Sequence, residues 1–288
     1  TPKFETWCKI RLYFDWERFS MNLLILGDVV GLPGREILQS ELPKIIKEKN
    51  IDFTIVNGEN CNDTGFGITK KDFNFLTDLG ANVITSGNHI WDQSETMNYI
   101  DQEQRLLRPF NLPDGSPGNG YGTFKIKESK FNITVVNLMG NLFIKKCENL
   151  FKAAEKIKEK FKLKKNTDFI IIDIHAETTS EKMAIGHFFD GYATAVIGTH
   201  THVPTSDSRI LKNGTAYQTD LGMCGDYDSV IGMNKENSVN KFLNKKDTKK
   251  HFPASGKASL SGVIIKTDEK TGLSLSIKPL IIGGSLKN

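Results

Sequence analysis

Gly198-Thr199-His200-Thr201-His202-Val203-Pro204 directly follows the apolar run Ala193-Thr194-Ala195-Val196-Ile197. A short apolar run of this kind reads as a buried strand, and Gly198 marks where the chain leaves its carboxyl end. Side chains two residues apart on an extended chain project to the same side, so His200 and His202 are expected to face one site. Two more of the six histidines also close predicted strands: His89 in Ser86-Gly87-Asn88-His89 and His175 in Ile172-Asp173-Ile174-His175.

Working outward, the same pattern recurs along the chain. Leu23-Leu24-Ile25-Leu26-Gly27-Asp28 reads as a buried parallel strand ending on a carboxylate, and Pro33 suits the first turn of the helix that follows. Phe53-Thr54-Ile55-Val56-Asn57 is a second strand, closed by Gly58-Glu59-Asn60. Thr69 and Asp72 have capping-box spacing before a helix that Gly80 ends, and Ala81 to Thr85 is a third strand. A proline- and glycine-rich loop spans 109–122, followed by a hairpin from Phe124-Lys127 and Phe131-Leu138. A lysine-faced amphipathic helix lies between Lys146 and Lys164, and Asp168 to His175 is a further strand. Ser180 is placed to cap the next helix, which ends near Gly191. Asn213-Gly214 marks a hairpin, and a second is expected from Ile264-Thr267 and Leu273-Ile277. The lysine-rich segment 233–255 reads as an exposed insertion.

Alternating strands and helices with late antiparallel hairpins give an α/β fold, taken as one domain over 21–288. Residues 1–20 mix Trp7, Tyr13, Phe14 and Trp16 with charges ahead of Met21, and read as a leader or non-native extension. A net charge of +4 over 288 residues does not call for nucleic acid or an anionic membrane. No apolar run approaches the roughly 18 residues of a membrane span. Cys8, Cys61, Cys147 and Cys224 are widely spaced with no CxxC pair, as expected of free thiols in a cytoplasmic protein.

Five strand ends therefore offer polar groups: Asp28, Glu59 with Asn60, Asn88 with His89, His175, and His200 with His202. In α/β sheets, sites form outside the carboxyl ends of the strands, so all five sets can share one crevice. Carboxylates and imidazoles without thiolate suit manganese, iron or zinc better than an all-oxygen calcium site. His187 and His251 are read as surface or structural, and Cys61 and Cys224 as packing residues. Asp173 and Glu177, flanking His175, are candidates for orienting an imidazole.

Taken together, Gly27-Asp28-Val29-Val30-Gly31, Asn57-Gly58-Glu59-Asn60, Gly87-Asn88-His89, Asp173-Ile174-His175-Ala176-Glu177-Thr178-Thr179-Ser180-Glu181-Lys182, Gly198 to Pro204 and Tyr227 to Met233 resemble the calcineurin-like metallophosphoesterases. They most resemble the bacterial YmdB-like phosphodiesterases. The resemblance implies a four-layer α/β/β/α sandwich with two central mixed sheets and two divalent metal ions, iron or manganese before zinc. It implies that Asp28, Glu59, Asn60 and His202 hold one ion, and that Glu59, Asn88, His175 and His200 hold the other, with Glu59 bridging. His89 would be the general acid. The Asp-x-His of the wider superfamily reads Asp28-Val29-Val30 here, and Asn60 takes the missing imidazole's place.

Two ions roughly 3.5–4 Å apart can acidify a shared water and neutralise charge on phosphoryl oxygens. The implied activity is hydrolysis of a small phosphodiester, 2′,3′-cyclic nucleotides first and 3′,5′-cyclic ones second. An RNase or phosphomonoesterase is the alternative enzyme, and an RNA- or partner-binding protein with a structural metal is the alternative of another class. DNA and membrane are not expected partners, and homo-oligomerisation is left open.

Overall fold

A computed structural model describes residues 20–144 and 147–286. The expected leader, apart from Ser20, lies outside the described residues, as does Cys8.

In chain order the elements are β1 (Asn22–Val29), α1 (Gly31–Glu48), β2 (Phe53–Asn57), α2 (Lys70–Asp78), β3 (Val83–Thr85), α3 (Thr96–Tyr99), β4 (Tyr121–Lys125), β5 (Asn132–Met139), α4 (Leu150–Lys160), β6 (Phe169–His175), α5 (Thr179–Phe188), β7 (Ala195–Thr199), β8 (Arg209–Ile210), β9 (Ala216–Gln218), β10 (Met223–Asp226), α6 (Lys235–Phe242), β11 (Ala258–Thr267) and β12 (Ser274–Ile282). They build two six-stranded mixed sheets, ordered β12-β11-β10-β1-β2-β3 and β4-β5-β6-β7-β9-β8.

Why two sheets face each other follows from strands that are apolar on both sides. Leu23 and Ile25 of β1, Ile55 of β2 and Val263 of β11 meet Ile133 and Val135 of β5, Phe169 and Ile171 of β6, and Ile197 of β7 in a core between the sheets. The alternate residues face outward. Leu24 and Leu26 meet Leu38 and Leu42 of α1 and Phe73 of α2. Val136 and Ile172 meet Ala154 and Ile157 of α4 and Ile185 of α5. Period-2 alternation in strands buried on both faces thus yields the expected four layers.

The first two helices start as the local sequence predicts. Thr69 caps α2 in a reciprocal box with Asp72. The cap of α5 falls two residues earlier than expected, on Thr178 rather than Ser180. The Thr178 side chain accepts from the Glu181 backbone N–H, while Ser180 is already the second residue of the helix and so lies past the extended cap position. The hairpins at Asn213-Gly214 and in the C-terminal region are present, the latter longer than expected because β11 reaches β1 and β10 as well as β12.

One feature of β1 positions the site. From Asn22 to Leu26 it runs antiparallel to β11, then from Asp28 to Val29 parallel to β10. The change occurs at Gly27, where the register against β2 also slips. A Cβ at Gly27 would overlap the Gly222 carbonyl, so only glycine lets β10 close in here. The bulge turns Asp28 toward the crevice at the strand's carboxyl end.

Candidate metal centre

The five strand ends converge as expected. The crevice gathers Asp28, Glu59, Asn60, Asn88, His175, His200 and His202, with His89 on its rim. Asp28, Glu59, Asn60, His175 and His202 are buried.

Within the crevice, nitrogen and oxygen atoms crowd together. His175 Nε2 lies 2.9 Å from Glu59 Oε1, 3.1 Å from Asn88 Oδ1 and 3.0 Å from His200 Nδ1. Asp28 Oδ1 stands 3.8 Å from His202 Nε2 and 3.9 Å from His175 Nδ1. Both Asp28 Oδ1 and Asn60 Oδ1 are buried without a hydrogen-bond partner.

The outer hydrogen bonds explain what these atoms are prepared to do. Thr199 Oγ1 donates to Asp173 Oδ1 at 2.7 Å, so it accepts from His175 Nδ1 at 3.0 Å and leaves Nε2 as the ring nitrogen that faces Glu59. His200 Nε2 donates to Glu177 Oε2 at 3.1 Å, leaving Nδ1 as the lone pair toward His175. His202 Nδ1 donates to the Ile231 carbonyl at 2.8 Å, leaving Nε2 toward Asp28. The Asn60 amide donates to the Gly65 carbonyl at 2.9 Å, which turns its oxygen inward. Three imidazoles, two carboxylates and two amide oxygens therefore turn potential ligand atoms toward one another. A cation relieves that arrangement, and outer partners that fix the tautomer are the usual companions of metal-binding histidines.

Charge in the crevice shows a proton taking part of the place a cation would fill. Burial opposes ionisation of Glu59, yet the His175, His89 and His200 imidazoles outweigh it and hold the carboxyl well below its usual range. Burial would lower His175, but Glu59, Asp28 and Asp173 raise it above the usual imidazole range, so that Nε2 shares a proton with Glu59 that a bound cation would displace. Burial and the neighbouring His175 push His200 down to about 3, keeping it neutral. Burial raises Asp28 against the opposing pull of His202 and His175.

Backbone geometry corrects one expectation. His200 and His202 both have positive φ, 98° and 64°. β7 stops at Thr199 and the histidines sit in a left-handed turn, so the turn aims them and not strand alternation. The turn sends His200 to the His175 side and His202 to the Asp28 side. Gly87 gives the crevice its floor, because a Cβ there would collide with Glu59 Oε2 and the His175 ring.

His89 stands apart from the crowded atoms. Its Nδ1 donates to Asp92 Oδ2 at 2.8 Å, its backbone N–H donates to Glu59 Oε2 at 3.2 Å, and its ring tilts against Phe66 at 4.9 Å between centroids. Nε2 is the ring nitrogen that remains for other chemistry.

Asp92 and the role of Thr199 escaped sequence reading, although Asp92 lies three residues after His89, a legible spacing. Of the two flanking acids, Glu177 contacts a candidate ligand directly and Asp173 acts through Thr199. His187 is exposed, as expected. His251 is exposed too, as expected, and lines the cavity beside the centre. Cys61 and Cys224 are buried free thiols.

The model of the YmdB-like protein family matches residues 24–280. The chain belongs to the YmdB-like family. A 2′,3′-cyclic-nucleotide 2′-phosphodiesterase of Bacillus subtilis is 44% identical over 264 residues, covering 91% of this chain and 97% of the relative. A crystal structure of a phosphatase from Mycoplasma pneumoniae superposes with a TM-score of 0.83 at 37% identity, covering 92% of this chain and 94% of that one. A hypothetical protein of Thermus thermophilus gives 0.82 at 34% identity, covering 92% and 100%. The two-sheet metallophosphoesterase fold implies divalent metal ions, and the crevice fits them. No helix among the described residues is long and apolar enough to cross a membrane.

Proposed function

We propose that this chain is a metal-dependent phosphodiesterase that hydrolyses 2′,3′-cyclic nucleotides at the 2′-oxygen, leaving the 3′-monophosphate. The observation that carries the reading is the convergence of carboxylate, amide and imidazole ligand atoms from five strand ends, with His89 beside it. The activity named for the 44%-identical relative agrees with that chemistry.

In this reading Asp28, Asn60 and His202 would hold one divalent ion, Asn88, His175 and His200 would hold a second, and Glu59 would serve both. Mixed nitrogen and oxygen donors suit manganese, iron or zinc, and the family resemblance puts iron and manganese first. When bound, the ions supply positive charge for the phosphoryl oxygens and acidify water at neutral pH. Glu177, Thr199 and the Ile231 carbonyl keep the three imidazoles in their lone-pair-inward tautomers. His89 delivers a proton from Nε2 to the departing 2′-oxygen, while Asp92 fixes the ring through Nδ1. Residues 21–288 act as one catalytic domain, and the free thiols Cys61, Cys147 and Cys224 accord with a cytoplasmic setting.

The test is hydrolysis of 2′,3′-cyclic AMP by chelated protein, with and without added manganese or iron, followed by identification of the product. Metal-dependent formation of the 3′-monophosphate is expected. Absence of turnover at every metal tried would overturn the reading.

A further inference from the structure

Helix α6 is built the wrong way round for a helix whose purpose is stability. Ser238 is its buried residue, 1% exposed, while Val239, Phe242 and Leu243 beside it are 50%, 81% and 61% exposed. Packing alone would turn the apolar residues inward and the serine outward. Moreover, Ser238 Oγ is buried without a hydrogen-bond partner, a costly state unless something else supplies one.

Ser238 lines a cavity of about 340 Å³ that opens onto His89, His200 and His202. Phe66, Val230, Met233 and Phe242 make most of the remaining wall apolar. The size falls within the roughly 300–1,000 Å³ of small-molecule sites, which pair apolar walls with a few placed polar groups. A substrate whose phosphate sits at the metal centre must send the rest of its body somewhere, and this cavity adjoins the centre directly. Flat apolar faces with a polar edge are the mark of a nucleobase, whereas inorganic phosphate or a small alkyl ester has no use for such a wall.

Resting on the phosphodiesterase reading above, we infer that the 233–255 segment forms the nucleobase pocket of the site, in which Ser238 Oγ hydrogen-bonds the polar edge of the base and Phe66 and Phe242 flank its faces. A hydroxyl both donates and accepts, so one serine serves purine and pyrimidine edges alike. The pocket therefore favours nucleotides over base-free phosphodiesters without choosing sharply among bases.

The experiment compares kcat/KM for 2′,3′-cyclic AMP with that for the base-free methyl riboside 2′,3′-cyclic phosphate, in the metal-loaded wild type, Ser238→Ala and Phe242→Ala. The wild type should prefer the nucleotide, and the preference should shrink roughly tenfold in Ser238→Ala through a higher KM, as loss of a buried hydrogen bond implies. Phe242→Ala, at an exposed position, should reduce it without a folding defect. Equal kcat/KM for the two substrates in the wild type, or a preference unaltered by Ser238→Ala, overturns the nucleobase pocket and leaves the phosphodiesterase reading standing. Failure of the wild type to hydrolyse either cyclic phosphate removes both.

Discussion

Lys182 and Asp220 form an ion pair at 2.6 Å with both side chains at most 1% exposed, directly behind the His200–His202 turn. The same carboxylate oxygen accepts from the Thr201 backbone N–H at 3.1 Å and from its hydroxyl at 2.8 Å. The other oxygen accepts from Gly222 N–H at 2.8 Å, next to the close approach at Gly27. A lysine of α5 thereby holds the carboxylate that holds the apex of the left-handed turn.

Removing one member of a buried pair leaves the other charge uncompensated, at a cost of about 3–5 kcal/mol. Lys182→Met is therefore expected to lose stability of that order in urea unfolding, and to bind metal more weakly because the turn is released. Lys182→Met combined with Asp220→Leu should recover part of the stability but not the metal affinity, since Thr201 stays untethered. Full recovery of both would show that the pair does not position the histidines.

Much of this site is legible in sequence because its donors sit where apolar runs end, and an apolar run is the strongest local signal a strand gives. Asp28, Glu59, His175 and His200 are found that way. What escapes is set by contacts distant in the chain. The direction of His200 and His202 depends on positive φ values secured by Asp220, eighteen residues after His202, and no spacing rule reports them. β10 is hard to see because Met223-Cys224-Gly225-Asp226 is short and lacks alternation, yet it carries the strand swap at Gly27. The lysines of 233–255 announce solvent, and they mask the inward turn of Ser238.

The two halves of the crevice should separate by metal content. Asp28→Ala and His200→Ala each remove a donor from one half only, so each is expected to retain about one ion of two. Glu59→Ala removes the shared carboxylate and should lose both. Elemental analysis after dialysis against a trace of manganese checks this, and a fully loaded Glu59→Ala protein would defeat the shared assignment.

Binding to the folded state alone must also stabilise it, by about 2.7 kcal/mol at a free metal concentration 100 times Kd. The crowded carboxylate, amide and imidazole atoms of the crevice offer the folded state a cation site that the unfolded chain lacks. Chelation is expected to lower Tm, and manganese to restore it, with the restoration lost in Glu59→Ala. A Tm indifferent to chelator in metal-loaded wild type would argue against a bound cation.

Gly87 offers a purely steric test. Any side chain at this position strikes both Glu59 and the His175 ring, so Gly87→Ala must displace the shared carboxylate and one imidazole beside it. Loss of metal and of activity is expected, with far-UV circular dichroism close to wild type because β3 ends two residues earlier at Thr85. Retention of full metal content would mean that the crevice is wider in solution than the 2.9 Å contact between His175 and Glu59 implies.

His89 should matter in proportion to how poor the leaving group is. The ribose 2′-oxygen leaves as an alkoxide unless it is protonated, whereas p-nitrophenolate leaves readily without help. His89→Ala is accordingly expected to lower kcat on 2′,3′-cyclic AMP by roughly 10²–10⁴-fold, to lower it far less on bis-p-nitrophenyl phosphate, and to keep its metal. Asp92→Asn, which weakens the 2.8 Å bond that orients the ring, should show the same pattern at smaller amplitude. Equal losses on both substrates, accompanied by loss of metal, would make His89 a ligand and not an acid.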